Sequence, residues 1–302
     1  MREDRRPGRV RIRADRRRPA AMLPLAWALM VAVVGGVAFV APARAGGRLL
    51  ATDGATQIEG SAGSGLVPWA VIAGTGTRDE IGGSGFATGV FVDDLRLASF
   101  GIAAGFYDRV ELSFAHQNLE VRPLGENLRQ NVFGVKVRVV GDLVYGHVPA
   151  IALGAQFKHM LDFDIPKAVG ADDDFGVDLY GGVSRLFLGG FFGHNVLLNG
   201  VVRATKSNEI GLLGFGGPGR DNYQFYFEGS AALFLTRRIA IGYDFRQKSK
   251  NLRAANEDPW QDVFIALVPS RYFKLVAAYA RLGEVAGLGH QDGAYLSLQG
   301  SF

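Results

Sequence analysis

This sequence predicts an all-β fold: a transmembrane up-and-down antiparallel β-barrel of about twelve strands, range 10–14, behind a cleaved N-terminal signal peptide. Three observations carry the prediction. The chain begins with a basic head and one apolar run. After that run no segment is long enough to cross a membrane as a helix, which needs about 20 apolar residues. Short stretches of period-two alternation then fill the chain to its end at Phe302.

The leader comes first. Residues 1–21 hold nine arginines and three acids, and the apolar run 23–40 leads into Ala41-Pro-Ala-Arg-Ala45. A basic head, an apolar centre and a small-x-small site are the parts of a secretory signal peptide. The expected domains are a signal peptide at 1–45, a Gly/Ser-rich segment at 46–84 and an outer-membrane barrel at 85–302. The run is near the lower limit for a spanning helix, so an uncleaved anchor is the competing reading. Met22 is an alternative start.

Composition follows from the leader. The full chain carries 33 basic and 29 acidic residues; removing 1–45 leaves 23 basic and 26 acidic. The excess of positive charge belongs to the leader, so it supports no nucleic-acid partner. There is no cysteine, which excludes disulfides, thiolate metal sites and a lipidated N-terminal cysteine. Glycine is abundant, 42 of 302, about twice the ordinary share.

Alternation and turn residues place strands at 85–93, 96–105, 109–118, 131–141, 148–161, 175–187, 194–208, 223–236, 239–250, 260–270, 273–283 and 292–302. The connections alternate in length. Those at 106–108, 142–147, 188–193, 237–238 and 271–272 are short, while of those at 94–95, 119–130, 162–174, 209–222, 251–259 and 284–291 all after the first are long. Short periplasmic turns and long outer loops are the rhythm of an outer-membrane barrel.

Each strand has two faces. Phe133, Val135, Val137 and Val139 oppose Lys136 and Arg138; Val110, Leu112 and Phe114 oppose Glu111, Ser113 and Gln117. Phe225, Phe227, Leu233 and Leu235 oppose Gln224, Glu228 and Ser230; Ile239, Ile241, Tyr243 and Phe245 oppose Asp244, Arg246 and Lys248. Lys or Arg on the lipid face at mid-membrane costs about 2–4 kcal/mol, so the charged parity is expected inside. The lumen-facing candidates are Glu111, Lys136, Arg138, Lys158, Asp178, Arg203, Glu228, Asp244, Arg246 and Lys248. In the last strand Leu296, Leu298 and Phe302 oppose Tyr295, Ser297, Gln299 and Ser301. Phe302 is the expected signal to the barrel-assembly machinery. Tyr107, Phe187, Phe191, Phe192, Trp260, Tyr272 and Phe273 stand at strand ends or turns, where barrels carry aromatic girdles.

Residues 46–84 are rich in Gly, Ala, Ser and Thr. They are expected to plug or line the lumen, to add strands at 56–62 and 66–74, or to hang disordered. Inside the barrel, Glu59, Arg78, Asp79 and Glu80 would be partners for the wall charges. The stretch Thr56-Gln-Ile-Glu-Gly-Ser-Ala-Gly-Ser-Gly-Leu-Val-Pro-Trp-Ala70 resembles the N-terminal signature of DUF3034, a proteobacterial secreted family of unknown function. The resemblance implies an outer-membrane-like barrel and assigns no functional residue.

Catalytic chemistry has weak support. His116 and Asn118 share a strand face with Ser113 nearby, which suggests a phospholipase-like trio, but the flanking residues do not match that motif. A polar residue at the outer rim is the better account of His116. Asp172, Asp173 and Asp174 lie in a loop without a full metal-ligand spacing. Gly214-Phe-Gly-Gly-Pro-Gly219 has glycines but no strand before and helix after, as a phosphate cradle requires. No catalytic residue, cofactor or metal is expected. The expected function is a narrow channel for a small solute, or a structural envelope protein, in contact with outer-membrane lipid. The alternatives are a barrel enzyme acting on lipid or lipopolysaccharide, and a surface-loop binding protein.

Overall fold

The computed structural model describes residues 50–252, 258–285 and 287–302. The leader 1–45 and residues 46–49 lie outside the described residues. Two short strands, β1 (Ala55–Thr56) and β2 (Ala62–Gly63), pair only with each other. The stretches 56–62 and 66–74 therefore add no strand to the barrel. Twelve strands follow and close into one antiparallel cylinder. They are β3 (Ile81–Val92), β4 (Leu95–Phe106), β5 (Val110–Val121), β6 (Glu126–Val140), β7 (Ala150–Met160) and β8 (Phe175–Phe191). They continue as β9 (His194–Thr205), β10 (Gln224–Phe234), β11 (Ile239–Arg246), β12 (Trp260–Ser270), β13 (Phe273–Glu284) and β14 (His290–Ser301). Each pairs with its sequence neighbours, and β14 closes on β3 with Leu298 opposite Ala87. Closure leaves no strand edge unpaired, which a sheet inside lipid requires.

The strand number matches the sequence expectation, and several boundaries differ. The expected loop 119–130 is only a turn at 122–125. Leu119, Val121 and Leu128 continue the inward parity of Glu111, Gln117 and Lys136, there with apolar side chains, and are buried, while Gly125 takes the positive φ that the turn needs. Outward polar residues such as Asn118, Glu120, Arg129 and Asn131 disguised the alternation in this hairpin. Conversely, β11 stops at Arg246 rather than reaching 250. Strand β8 runs on to Phe191, with a register shift between Phe187 and Phe191. The apolar stretch expected as turn 188–193 is thus mostly strand, and the turn is Phe192-Gly193, both at positive φ.

The outer face carries the apolar parity. Phe133, Val135, Val137, Val139, Phe225, Phe227, Ile241, Tyr243, Val263 and Ile265 are all exposed. Tyr107, Phe187, Phe191, Phe192 and Tyr272 are exposed at the turn end of the barrel. Trp260 departs from the girdle expectation. It is 4% exposed, points inward, and donates from Nε1 to Glu209 Oε2 at 3.1 Å. Among the described residues one α-helix, α1 (Asp164–Ala168), lies between β7 and β8.

Candidate functional site: the filled lumen

The barrel interior is occupied by the chain's own residues 52–75, nearly all of them buried. Their small side chains let the backbone run close to the wall. At Gly63 a Cβ would stand 2.8 Å from Pro68 Cα, so the fold-back at β2 excludes any larger residue. At Gly154 on β7 a Cβ would overlap the Tyr180 ring. Glycine there lets that ring lie flat between wall and segment.

The wall holds the segment by charge-assisted bonds on every side. On β5, Glu111 accepts from Ser61 Oγ at 2.9 Å and from the backbone N–H groups of Ala62 and Ala73 at 3.1 and 2.9 Å. Lys136 on β6 pairs with Glu111 at 3.1 Å and donates to the carbonyls of Ala62 and Trp69 at 2.9 and 3.2 Å. Gln117 and Ser99 both donate to the Ile58 carbonyl, at 2.7 and 2.6 Å. Asn199 donates to the Pro68 carbonyl, and Ser184 accepts from the Ala70 N–H. Lys274 on β13 pairs with Asp53 at 2.5 Å and donates to the Gly54 carbonyl at 2.6 Å.

Glu59 is the centre of the network. It is 0% exposed. Its carboxylate pairs with Lys158 of β7 and with Arg246 of β11, the latter at 2.5 Å. Around it, Lys158 also pairs with Asp178 at 2.6 Å, and Arg203 pairs with Glu228 at 2.5 Å. The Arg203 guanidinium lies 5.0 Å from the Tyr180 ring centroid, within cation–π range. Arg246 closes the circuit by reaching Glu228 at 3.3 Å.

Nine of the ten lumen candidates are thus buried inward-facing residues, from Lys158 and Asp244 at 0% to Glu228 and Arg246 at 4% exposure. Arg138 differs in partner. It pairs with Asp108 of the β4–β5 turn rather than with the inserted segment. Lys248 lies beyond the end of β11, at the mouth of the barrel. It pairs there with Glu209 at 2.8 Å and donates to the carbonyls of Leu282 and Glu284. Of the four segment charges expected to meet the wall, Glu59 does so; Arg78 and Asp79 are exposed, and Glu80 accepts from Thr77. Sequence reading missed Asp53, Asp262 and Lys274. The last two fall on the inward parity of β12 and β13, so alternation could have found them; nothing local marks Asp53.

A second element closes the loop end. Residues 207–217, between β9 and β10, fold inward and are buried. The Ile210 carbonyl accepts from Lys158 at 3.0 Å and from Gln130 at 3.3 Å. Phe215, 0% exposed, lies against Gly176.

The catalytic candidates do not converge. Ser113 is buried on the inward face, whereas His116 faces outward, with its ring 5.3 Å from Phe100 and its Nδ1 2.8 Å from Asn131 Oδ1. Asp173 pairs with Lys206 at 2.8 Å. At the outer rim Arg129 binds Asp162 at 2.8 Å and holds that carboxyl below the usual range.

The family described as "Protein of unknown function (DUF3034)" matches residues 52–299, and the chain belongs to it. No curated protein matches the chain. Solved structures similar to it include a KdgM porin, at 12% identity and a TM-score of 0.48, covering 72% of this chain and 99% of that one. Another is the NanC porin, at 9% identity and 0.45, covering 74% and 99%. A third is the COG4313 outer membrane channel from Pseudomonas putida F1, at 13% identity and 0.42, covering 78% and 96%.

Proposed function

We propose that this member of the DUF3034 family is an outer-membrane channel for small solutes whose pore is held shut by residues 52–75. One observation carries the reading: the segment adds no strand to the closed wall and is tied to it by ion pairs at Asp53 and Glu59, beside the apolar contacts of Ile58, Leu66, Val67 and Trp69. Water can replace such bonds when the segment moves, and the wall it leaves behind is charged and wettable. A twelve-strand cylinder lies between an eight-strand barrel, filled by side chains, and a sixteen-strand open pore. The solute fits a lumen of mixed charge, because cations and acids alternate around it. The test is conductance in planar bilayers with and without residues 48–80. A structural role without transport would leave both forms silent.

Location and topology are part of the same reading. The protein matures by cleavage after Ala45 and resides in the outer membrane, with the 161–174 and 206–223 loops outside and the 107–109, 192–193 and 271–272 turns in the periplasm. Mature protein is expected to start at Gly46, fractionate with outer membranes and show heat-modifiable gel mobility. Recovery as a soluble periplasmic protein sinks the reading.

Phe302 supports a third expectation. Its N–H donates to the Gly83 carbonyl at 2.9 Å, and its carbonyl accepts from Gly83 and Thr75 at 2.9 and 3.1 Å. A Cβ on Gly83 would stand 2.7 Å from the Phe302 ring, so the ring lies on that glycine. The residue therefore joins the closing strand to the end of the inserted segment. Phe302→Ser removes a half-buried ring and is expected to cost about 1–2 kcal/mol. It should also lower the yield of inserted protein handed over by the assembly machinery. Wild-type yield and an unchanged unfolding temperature would refute this role.

A further inference from the structure

We propose that Asp244 and Asp262 bind a single hard divalent cation of the Ca2+ class, between the β11–β12 wall and residues 64–66. The two aspartates are direct partners in the antiparallel register of β11 and β12. Both point into the lumen, at 0% and 2% exposure. Opposite residues on one face of such a pair have Cβ atoms about 4.5–5.5 Å apart, where like charges repel. A buried ionised carboxylate without a partner is so costly that it must be neutralised. The cation nearest along β11 is already committed: Arg246 binds Glu59, Glu228 and the Leu66 carbonyl.

The oxygens left over are specific. Asp244 Oδ2 accepts from the Leu66 N–H at 3.1 Å. Asp244 Oδ1, both oxygens of Asp262 and the Tyr295 hydroxyl have no partner in the structure and are buried. Tyr295 is 2% exposed. Its hydroxyl and Asp262 Oδ2 converge on one point beside Gly65, where a Cβ would stand 3.2 Å from the first and 3.5 Å from the second. The hydroxyls of Ser64 and Ser230 meet at 3.2 Å, and Ser230 is the register partner of Asp244 on β10.

A shared proton would neutralise one of the two charges and pair one oxygen of each carboxylate, leaving the second negative charge buried without a cation. A divalent cation neutralises both carboxylates and satisfies the orphaned oxygens together. The donor set is oxygen only, which suits a hard cation, and Ca2+ tolerates the irregular geometry better than Mg2+. Among the described residues no group of three or more His, Cys, Asp or Glu could hold a metal. This site is instead two carboxylates completed by hydroxyls. Ser64, Gly65 and Leu66 belong to the inserted segment, so the site is complete only when that segment is seated. The proposal concerns the seated form and does not require that the pore ever open.

The test uses the full mature chain refolded in detergent with chelator, then titrated with Ca2+ alone. Metal content after dialysis and calorimetric titration are expected to show a single bound Ca2+, with an unfolding temperature that rises on binding. Asp262→Asn is expected to abolish binding and the temperature rise, and Tyr295→Phe, which keeps the ring packing, to weaken affinity severalfold. If Asp262→Asn fails to fold, Tyr295→Phe decides the matter. No bound Ca2+ at millimolar concentration, or equal binding by both variants, overturns the proposal. An Asp262→Asn protein more stable than the native chain without metal, together with no Ca2+ binding, would identify a protonated pair instead.

Discussion

Deleting residues 48–80 is expected to turn a silent or barely conducting barrel into one with clear single-channel steps. The increase should be on the order of tenfold or more, since an emptied twelve-strand cylinder is wider than the side-chain-filled eight-strand case. The intact chain is expected to be closed because Glu111, Lys136, Lys158, Arg246 and Lys274 all hold residues 53–73 across the lumen. The wall strands pair with each other without help from this segment, so the deleted form retains its cylinder. The inward loop 207–217 is a second barrier, resting on Lys158 and Gln130 through the Ile210 carbonyl. The deletion is therefore measured also with residues 209–216 replaced by a short Gly-Ser link. In that background the full-length chain should stay closed and the deleted chain should conduct strongly. Equal conductance with and without 48–80 in both backgrounds, with both forms heat-modifiable, rules out the segment as the closing element.

The cylinder was legible in the sequence because lipid imposes a strict rule on one face. Phe133, Val135, Val137 and Val139 could be read outward as soon as Lys136 and Arg138 were read inward, since charge in the lipid is expensive. The rule fails where lipid ends. In the β5–β6 hairpin the outward residues become Asn118, Glu120, Arg129 and Asn131, the two faces look alike, and the strands ran on unseen. Trp260 was misplaced for a related reason. Aromatics at strand ends favour the membrane interface, but this one is drawn inside by Glu209, a residue of a distant loop. The interior was legible only in part. The wall charges show in the alternation. Of their partners, Glu59 could be named as a charge of the inserted segment, while Asp53 and Glu209 show only in three dimensions, because they lie on segments without a period. The facing of Asp244 and Asp262 depends on the register of β11 against β12, and alternation leaves that register open.

Glu59→Ala is expected to be the most damaging single substitution in the inserted segment. The carboxylate is fully buried between Lys158 and Arg246, and it also accepts from Gln57 Nε2 at 2.7 Å. Removing one partner from a buried ion pair costs about 3–5 kcal/mol, because the remaining charge is left in a poor medium. Here Asp178 still faces Lys158 and Glu228 still faces Arg246, which moves the expectation to the low end, about 3 kcal/mol. Glu59→Gln keeps the volume and one acceptor oxygen, so it should recover part of the packing and none of the charge. The comparison is Arg129→Ala at the outer rim. That pair is also within hydrogen-bond distance, at 2.8 Å, yet its side chains are 47% and 30% exposed, and exposed pairs contribute roughly 0.2–1 kcal/mol. Thermal unfolding in detergent should thus separate the two clearly, with Glu59→Ala well below Arg129→Ala. Because the lost pairs join the segment to two separate wall strands, β7 and β11, Glu59→Ala should also raise open-channel events in bilayers while Arg129→Ala does not. If Glu59→Ala unfolds with Arg129→Ala and stays silent, the ionic network neither holds the segment in place nor closes the pore.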